Sequence, residues 1–303
     1  MKDSEDFDMN REDSKKLAMH ISNVSILGNV FLSVFKMLAG VIANSGAMLS
    51  DGVHSLSDVI STIVVIVGIR ISSKKADESH PYGHDRFESV AAIILANLLI
   101  LTGLGIGYKG VRTIMAGTGH IKVPGMLALV AAAVSIVVKE LMFHYTKNGA
   151  RKIKSDALIA DAWHHRSDAL SSIGSLIGIG GAMLGFPIMD PLASIVICLF
   201  IIKAGAEIYM EAVGKMVDSS VSQDVIDSMR EYILKEKGVV SVDKIQTRLF
   251  GGGYYVDLEI AADAHQTLHE AHEIAHTVHD DLEEAFPDIR HVMIHVNPVF
   301  AND

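Results

Sequence analysis

Six apolar stretches, each about as long as an α-helix that crosses a lipid bilayer, dominate the first 210 residues of this sequence. They lie at about residues 18–43, 47–71, 88–113, 123–146, 157–185 and 187–210. Half of the 303 residues are hydrophobic and the mean hydropathy is +0.33, which together with these stretches argues against an ordinary soluble enzyme. The sequence therefore predicts an α-helical membrane protein with six transmembrane helices over residues 18–211.

The distribution of Lys and Arg predicts how these helices are oriented. Basic residues collect in the N-terminal arm, residues 1–17, and in the connections after the second and fourth stretches. The connections after the first and fifth carry none, and the third opposes the trend. The positive-inside rule then places both termini in the cytoplasm. The arm has many charges and no apolar core, so we expect the first span, not a cleaved signal peptide, to target the chain.

Residues 212–303 are polar and acidic, and we expect them to form a separate cytoplasmic domain. They hold 17 Asp and Glu against 7 Lys and Arg, so this region offers no basic surface for nucleic acid. Its patterns predict a helix at about 222–236, strands at 239–249 and 254–262, a helix at 266–286 and a strand at 289–297. This αββαβ order predicts a small α/β sandwich.

One motif occurs twice within the predicted spans. DGVHSLSD runs from Asp51 to Asp58 in the second span and DAWHHRSD from Asp161 to Asp168 in the fifth, and both fit D-x-x-H-x-x-S-D. Residues four apart share one face of a helix, so each helix would present an imidazole and a carboxylate together. The sequence thus predicts an intramembrane metal site made of His54, Asp58, His164 and Asp168.

Two imidazoles and two carboxylates suit Zn²⁺, tolerate Co²⁺, Fe²⁺ and Cd²⁺, and lack the sulfur ligands that copper(I) prefers. The two spans run in opposite directions, and inverted repeats that meet near the bilayer centre recur in transporters. Metal binding needs ionised carboxylate and neutral imidazole, so exchange of metal for protons is expected. The alternative, that these groups only hydrogen-bond neighbouring helices, is disfavoured because buried carboxylates are costly. Asp51 and Asp161 could each hold a neighbouring metal ligand in place by a hydrogen bond, or could each stand at the start of a helix.

Two further clusters lie outside the spans. Asp77, His80 and His84 follow the second span and are a candidate metal site, although the Pro and Gly among them leave open that His80 only shapes the turn. The last predicted helix carries His265, His269, His272, His276 and His279 near one face. We expect His272 to bind metal with Asp257 and His295 of the sheet, whereas a solvated polar face explains His265, His269 and His279 equally well.

Four motifs make this sequence similar to the cation diffusion facilitator family over about residues 17–298: SGAMLSDGVHSLSD, HPYGHDRFE, AWHHRSD and MIHVNP. The resemblance implies a homodimer that exchanges zinc or a similar divalent ion for protons across a lipid membrane. It also implies a ferredoxin-like, metallochaperone-like cytoplasmic domain that dimerises. The family's ligands carry over to His54, Asp58, His164 and Asp168, to Asp77, His80 and His84, and to Asp257, His272 and His295.

The sequence departs from the better-known bacterial zinc members at Asp243, Asp257 and Asn297, where those use His, His and Asp. The number of cytoplasmic metals therefore stays open. Family members that resemble manganese exporters carry Asn or Asp at the positions of His54 and His164, and imidazole favours zinc over manganese. Zinc is thus expected as the transported and regulatory ion, with Fe²⁺, Co²⁺, Cd²⁺ and Mn²⁺ as alternatives. The connection between the fourth and fifth spans lacks the long histidine-rich loop that is typical of many eukaryotic zinc members of the family, which favours a prokaryotic plasma membrane.

Other functions compete with transport. A membrane-anchored metal sensor would use only the cytoplasmic domain, but an anchor needs no buried carboxylates. An intramembrane metalloprotease would need an open zinc position and a general base, and no H-E-x-x-H motif occurs. No Walker motif occurs either, which argues against a built-in ATP-driven pump. The sequence therefore predicts a transporter and not an enzyme.

Overall fold

The computed structural model describes residues 2–42, 46–116, 126–183, 186 and 188–300, apart from some side chains within the helices. The chain divides into two compact units, Met1–Ala212 and Val213–Asp303. The first unit is helical, and the second combines helices with a sheet.

Six long helices make up the first unit. They are α1 (Lys2–Ile42), α2 (Gly46–Ser72), α3 (Arg86–Ala116), α4 (Met126–Ile153), α5 (Asp156–Met183) and α6 (Met189–Met216). The shortest has 27 residues, and a helix of that length measures about 40 Å, more than the hydrocarbon core of a bilayer. The six predicted helices are confirmed. Among the described residues, Glu12–Ala39 and Arg86–Ala116 are long and apolar enough to cross a membrane by length and composition alone.

Several helices extend beyond the predicted spans, α1 and α4 by the most residues. α1 begins at Lys2 and not near residue 18, and Lys16 pairs with Glu12 one turn earlier, with 3.2 Å between Nζ and Oε1. Such pairs stabilise a helix, so the charged arm continues the helix of the first span. α4 continues to Ile153, past the predicted end at about residue 146, and Lys154 with a φ of 53° follows it.

Many polar side chains are buried in the helical unit beside an apolar cluster, and large apolar side chains cover its exterior. The buried polar residues include Ser22, Ser25, Asn29, Ser33, Lys36, Ser55, Asp58, Thr62, Lys139, Asp161 and His165. Large apolar side chains of the same helices are exposed, among them Phe31, Ile60, Leu101 and Leu141. A soluble bundle has the opposite arrangement, whereas an exterior in contact with lipid tails requires this one.

The helices approach closely where small residues meet. A Cβ atom on Gly107 of α3 would lie 2.6 Å from Sγ of Cys198 on α6, and one on Gly68 of α2 would lie 2.5 Å from Cβ of Ala91 on α3. Neither position has room for a larger side chain. Small residues at helix contacts are typical of membrane proteins, because association there depends on close packing.

The second unit contains α7 (Gln223–Ile233), β1 (Ser241–Phe250), β2 (Gly253–Asp263), α8 (Leu268–Ala285) and β3 (Ile289–Val299). The sheet order is β1-β2-β3, with β1 antiparallel and β3 parallel to β2. α8 makes the crossover between the parallel strands, and a capping box of Thr267 and Glu270 fixes its start. The predicted αββαβ, ferredoxin-like fold is confirmed.

One face of this sheet is covered by helices. Val256, Leu258 and Ile260 of β2 are buried in a single apolar cluster with residues of α7 and α8. Successive residues of a strand point to opposite faces. Asp257 of β2 and His295 of β3 therefore lie on the other face of the sheet, where both are exposed.

Candidate metal centre

Asp58 of α2 meets His164 and Asp168 of α5 inside the helical unit. Nε2 of His164 lies 3.4 Å from Oδ1 of Asp58. Each of the three side chains offers a ligand atom within 4.8 Å of the others. Asp58 and His164 are buried and Asp168 is half-buried. The tertiary structure thus brings together three of the four predicted intramembrane ligands, which supply one imidazole nitrogen and two carboxylates.

His54 is the fourth predicted ligand of this site. It lies in α2, one turn before Asp58, but its side chain falls outside the described part of the structure. Residues four apart share one helical face, so the position of His54 agrees with the predicted quartet. The contribution of His54 stays a prediction.

Lys139 of α4 also enters this site, and the sequence analysis did not single it out. Its Nζ donates hydrogen bonds to Oδ2 of Asp58 at 2.6 Å and to Oδ2 of Asp168 at 2.8 Å. A third bond, of 2.9 Å, reaches Oδ1 of Asn29 on α1. Residues from four helices therefore meet at one point. We call Asp58, His164, Asp168 and Lys139 the intramembrane centre.

A signal for Lys139 was present in the sequence. It lies inside the apolar stretch predicted at about residues 123–146, where a charged group is costly unless it is paired. The same holds for Lys36 in the first stretch, which is buried and donates to Oγ of Ser55 at 3.0 Å. Both lysines could have been identified from their cost in hydrocarbon, but the sequence does not say which carboxylates they contact.

A cavity of about 330 Å³ adjoins the intramembrane centre. It is lined by Lys36, Ser55, Asp58, Thr102, Gly105, Ile106, Lys109, Lys139, Ser167, Asp168 and Ser172. Polar groups thus surround a space large enough for several water molecules beside the two carboxylates.

A second buried polar network lies beside the centre and joins α1, α2 and α5. Oγ1 of Thr62 donates to Oδ1 of Asp161 at 3.3 Å, and Oδ2 of Asp161 lies 3.5 Å from Nε2 of His165. Nε2 of His165 is also 2.9 Å from Oγ of Ser25. Asp161 is fully buried and lies five residues after Asp156, the start of α5, so it is not a helix-start residue. Its contact with Thr62 joins α5, which carries His164 and Asp168, to α2.

The loop between α2 and α3 brings Asp77, His80 and His84 together. Nε2 of His84 lies 3.4 Å from Oδ2 of Asp77, and Nδ1 of His80 lies 3.5 Å from Oδ1 of Asp77. The two imidazole rings are 4.3 Å apart between centroids. The three ligand atoms lie within 4.8 Å of one another, so this predicted loop cluster has the dimensions of a metal site.

Hydrogen bonds hold Asp77 in its ionised form. The hydroxyl of Ser79 and the backbone N–H of His80 donate to its Oδ1 at 2.7 Å and 2.8 Å. Together with nearby His84 they lower the pKa of Asp77 to about 2, the Ser79 bond being the largest cause. The backbone bond from His80 also closes the turn, so His80 both shapes the loop and presents its ring to Asp77.

The three predicted ligands of the cytoplasmic domain lie on different layers. Asp257 and His295 are on the open face of the sheet, whereas His272 is exposed on α8, which packs against the opposite face. Among the described residues, the groups with metal-site dimensions are the intramembrane centre and the loop cluster. The site formed by Asp257, His272 and His295 is therefore not assembled within the described part of one protomer, and it stays a prediction.

Two of the positions that depart from the zinc members contact each other. Nδ2 of Asn297 on β3 donates to Oδ2 of Asp243 on β1 at 2.9 Å. The hydroxyl of Ser241 donates to the other oxygen of Asp243 at 2.7 Å, and these two bonds lower the pKa of that carboxyl, Ser241 contributing more. Both oxygens of Asp243 thus accept hydrogen bonds from neighbouring side chains.

The sequence matches known families over most of its length. Residues 22–217 match the family described as the cation efflux transmembrane domain, and residues 221–299 match the cytoplasmic domain of cation efflux proteins. Together these matches include every predicted metal ligand named above.

Three relatives illustrate the similarity. Metal tolerance protein C1 of Arabidopsis thaliana is 32% identical over 293 residues, which cover 92% of this chain and 62% of that protein. Magnetosome protein MamB of Magnetospira sp. (strain QH-2) is 34% identical over 271 residues, covering 89% and 92%. Manganese efflux system protein MneP of Bacillus subtilis (strain 168) is 28% identical over 293 residues, covering 94% and 98%. This chain spans less than two thirds of the plant relative's length.

Proposed function

This chain belongs to the cation diffusion facilitator family of membrane transporters for divalent metal cations, and from that premise we propose that it exchanges cytoplasmic zinc for external protons. The observation that carries the proposal is the meeting of Asp58, His164 and Asp168 between two helices, with ligand atoms within 4.8 Å. The centre is buried, adjoins a cavity, and uses groups that a divalent ion binds in proteins.

The choice of zinc rests on nitrogen ligands. Imidazole suits zinc, iron(II) and cobalt, whereas manganese prefers carboxylates and other oxygen ligands. His164 lies at the centre, and His54 is positioned one turn from Asp58 on α2. MneP is named as a manganese efflux protein, so manganese remains the main alternative. Iron(II), cobalt and cadmium are the further alternatives.

Coupling to protons follows from the chemistry of the same ligands. A metal binds ionised carboxylate and neutral imidazole, so metal binding and protonation of these groups exclude each other. Alternate exposure of such a centre to the two sides of the membrane exchanges one for the other. Antiport therefore needs no further cofactor.

We further propose that the protein acts as a homodimer in a prokaryotic plasma membrane, with both termini in the cytoplasm. The match of residues 221–299 to the cytoplasmic domain of cation efflux proteins supports a dimer. The basic residues of the arm and of the connections after α2 and α4 support the orientation. Metal bound to the cytoplasmic domain would then act as a regulatory ligand.

Metal-driven proton flux in proteoliposomes tests the proposal. Zinc, cobalt, cadmium, iron(II) and manganese are each presented to the wild type and to Asp168→Ala, with a pH-sensitive dye inside the vesicles. We expect flux that is largest with zinc and absent in Asp168→Ala. Glu207→Ala is the matched control, because it removes an exposed carboxylate of α6 that pairs with the exposed Lys203.

Three other outcomes of the flux measurement would change the proposed function. Flux driven best by manganese would support metal transport but identify manganese, and not zinc, as the transported ion. Metal flux without proton movement would show that transport is not coupled to protons. A wild type that binds metal in its cytoplasmic domain but moves none would favour the membrane-anchored sensor.

A further inference from the structure

Lys139 lies between the two carboxylates of the intramembrane centre. Its Nζ is 2.6 Å from Oδ2 of Asp58 and 2.8 Å from Oδ2 of Asp168, and its side chain is 2% exposed. Asp58 and Asp168 come from different helices, and their like charges repel at such short range. The ammonium group neutralises part of that repulsion and connects α4 to both helices.

The ammonium occupies the oxygen atoms that a metal needs. A zinc ion binds carboxylate oxygens at about 2.0–2.2 Å and approaches along their lone pairs. Nζ of Lys139 already donates to one oxygen of each carboxylate. A metal ion bound through these same two oxygens and the ammonium in its present position would exclude each other, and the positive charges of the two repel at any position between the carboxylates.

We propose that Lys139 is a tethered cation that occupies the position between Asp58 and Asp168 when no metal is bound and is displaced when a divalent metal binds. The inference rests on the proposed function, since it assigns a role in the same transport site. Asn29 supplies the position to which the ammonium retreats, because Oδ1 of Asn29 accepts from Nζ at 2.9 Å without belonging to the predicted ligands.

A tethered cation makes the centre selective for divalent ions. The attraction between a cation and two carboxylates scales with the cation's charge, so a monovalent ion gains no more than the ammonium already provides. The ammonium also has a high effective concentration because it is part of the chain. Sodium and potassium therefore fail to displace Lys139, whereas a divalent ion of the same size succeeds.

The same competition favours release of the metal. Displacing Lys139 costs free energy and therefore lowers the affinity of the centre for metal. The ammonium is positioned to return to Asp58 and Asp168 as the metal leaves. A transporter needs binding that is strong enough to load and weak enough to unload. Lys139 thus holds the empty site together and limits how tightly it binds its cargo.

The test is equilibrium binding of zinc and cadmium to the full chain in detergent at about pH 8, where carboxylates are ionised. The part of the metal binding that is lost in Asp168→Ala is assigned to the intramembrane centre. Lys139→Met replaces the ammonium by an uncharged chain of similar length. In Lys139→Met we expect the affinity of this Asp168-dependent binding to increase by roughly ten- to a hundredfold, because a competing charge in contact with both carboxylates is lost.

A second expected result concerns monovalent ions. Sodium or potassium should weaken metal binding at the centre of Lys139→Met and leave that of the wild type unchanged, apart from the general screening seen in a control. Lys203→Met is that control, because Lys203 is an exposed lysine of α6 that pairs with Glu207 and is not among the residues that line the cavity. Its affinity should equal that of the wild type.

Lys139→Gln guards against misfolding of the methionine variant, because it removes the charge and keeps a hydrogen-bond donor. Unchanged or weaker metal binding in a folded Lys139 variant, with binding that depends on Asp168 intact in the wild type, overturns the role of Lys139 and leaves the proposed function standing. A wild type with no binding that depends on Asp168 overturns both.

Discussion

Nε2 of His164 lies 3.4 Å from Oδ1 of Asp58, so an imidazole of α5 and a carboxylate of α2 face each other inside the helical unit. Both side chains are buried, and the second oxygen of Asp58 accepts from Lys139. Each oxygen of this carboxylate thus has one partner. A metal that binds Oδ1 of Asp58 together with Nε2 of His164 must enter between these two atoms and replace their direct contact.

Asp58→Asn should reduce metal-driven flux by roughly a hundredfold or more, because it removes an ionised ligand from the centre. The fold should survive, since Asp168 and Asn29 still accept from Lys139; we expect a loss of about 1–3 kcal/mol of stability. Initial rates in proteoliposomes and melting in detergent measure the two effects, with Glu207→Ala as the control. Flux of Asp58→Asn equal to that of the control would show that the cargo does not use this carboxylate.

Asp161→Ala should lower the stability of the protein. It removes a hydrogen-bond acceptor of Thr62 and the charged partner of His165 in a fully buried position, and the loss of such buried contacts costs about 1–3 kcal/mol. Thr62→Val should cost less, because Asp161 keeps its contact with His165. Thermal unfolding in detergent ranks the two variants. The reverse order, or no loss in Asp161→Ala, would contradict a supporting role for this network.

The loop cluster should bind one metal ion at neutral pH and lose it as the pH falls. The pKa of Asp77 is lowered to about 2, so its carboxylate stays ionised and the loss of metal reports protonation of imidazole. The part of the metal content that His84→Ala removes should fall by one ion per chain between about pH 7.5 and pH 5.5. His84→Ala should remove the same ion at the higher pH, and His144→Ala, on an exposed face of α4, should not. Equal metal content in wild type and His84→Ala would rule out the loop site.

Metal should strengthen association of two protomers through the cytoplasmic domain. Asp257 and His295 lie on the open face of the sheet and His272 on the helical layer, so one ion can bind all three only if a second protomer supplies a ligand. Analytical ultracentrifugation in detergent should show a shift to dimer with added zinc in the wild type and not in His272→Ala. His269→Ala, one turn earlier on α8, is the matched control. A zinc-dependent shift to dimer that persists in His272→Ala would show that His272 is not a ligand of the cytoplasmic metal site.

Much of the architecture was predictable because the relevant patterns are local. Long apolar stretches predict membrane helices, and the change to alternating and amphipathic patterns after residue 212 predicts the αββαβ order. The helix ends were less predictable: α1 continues through the charged arm, where pairs such as Lys16 with Glu12 stabilise the helix without any apolar signal.

By itself the sequence determined the membrane helices, the cytoplasmic fold and the repeated motif, since four-residue spacing places His164 and Asp168 on one helical face wherever that helix packs. Only the tertiary structure decided what meets these ligands. Lys139 contacts Asp58 across a separation of 81 residues and Asn29 across 110. Such contacts depend on how α1, α2, α4 and α5 pack against one another, and no local pattern of side chains encodes that packing.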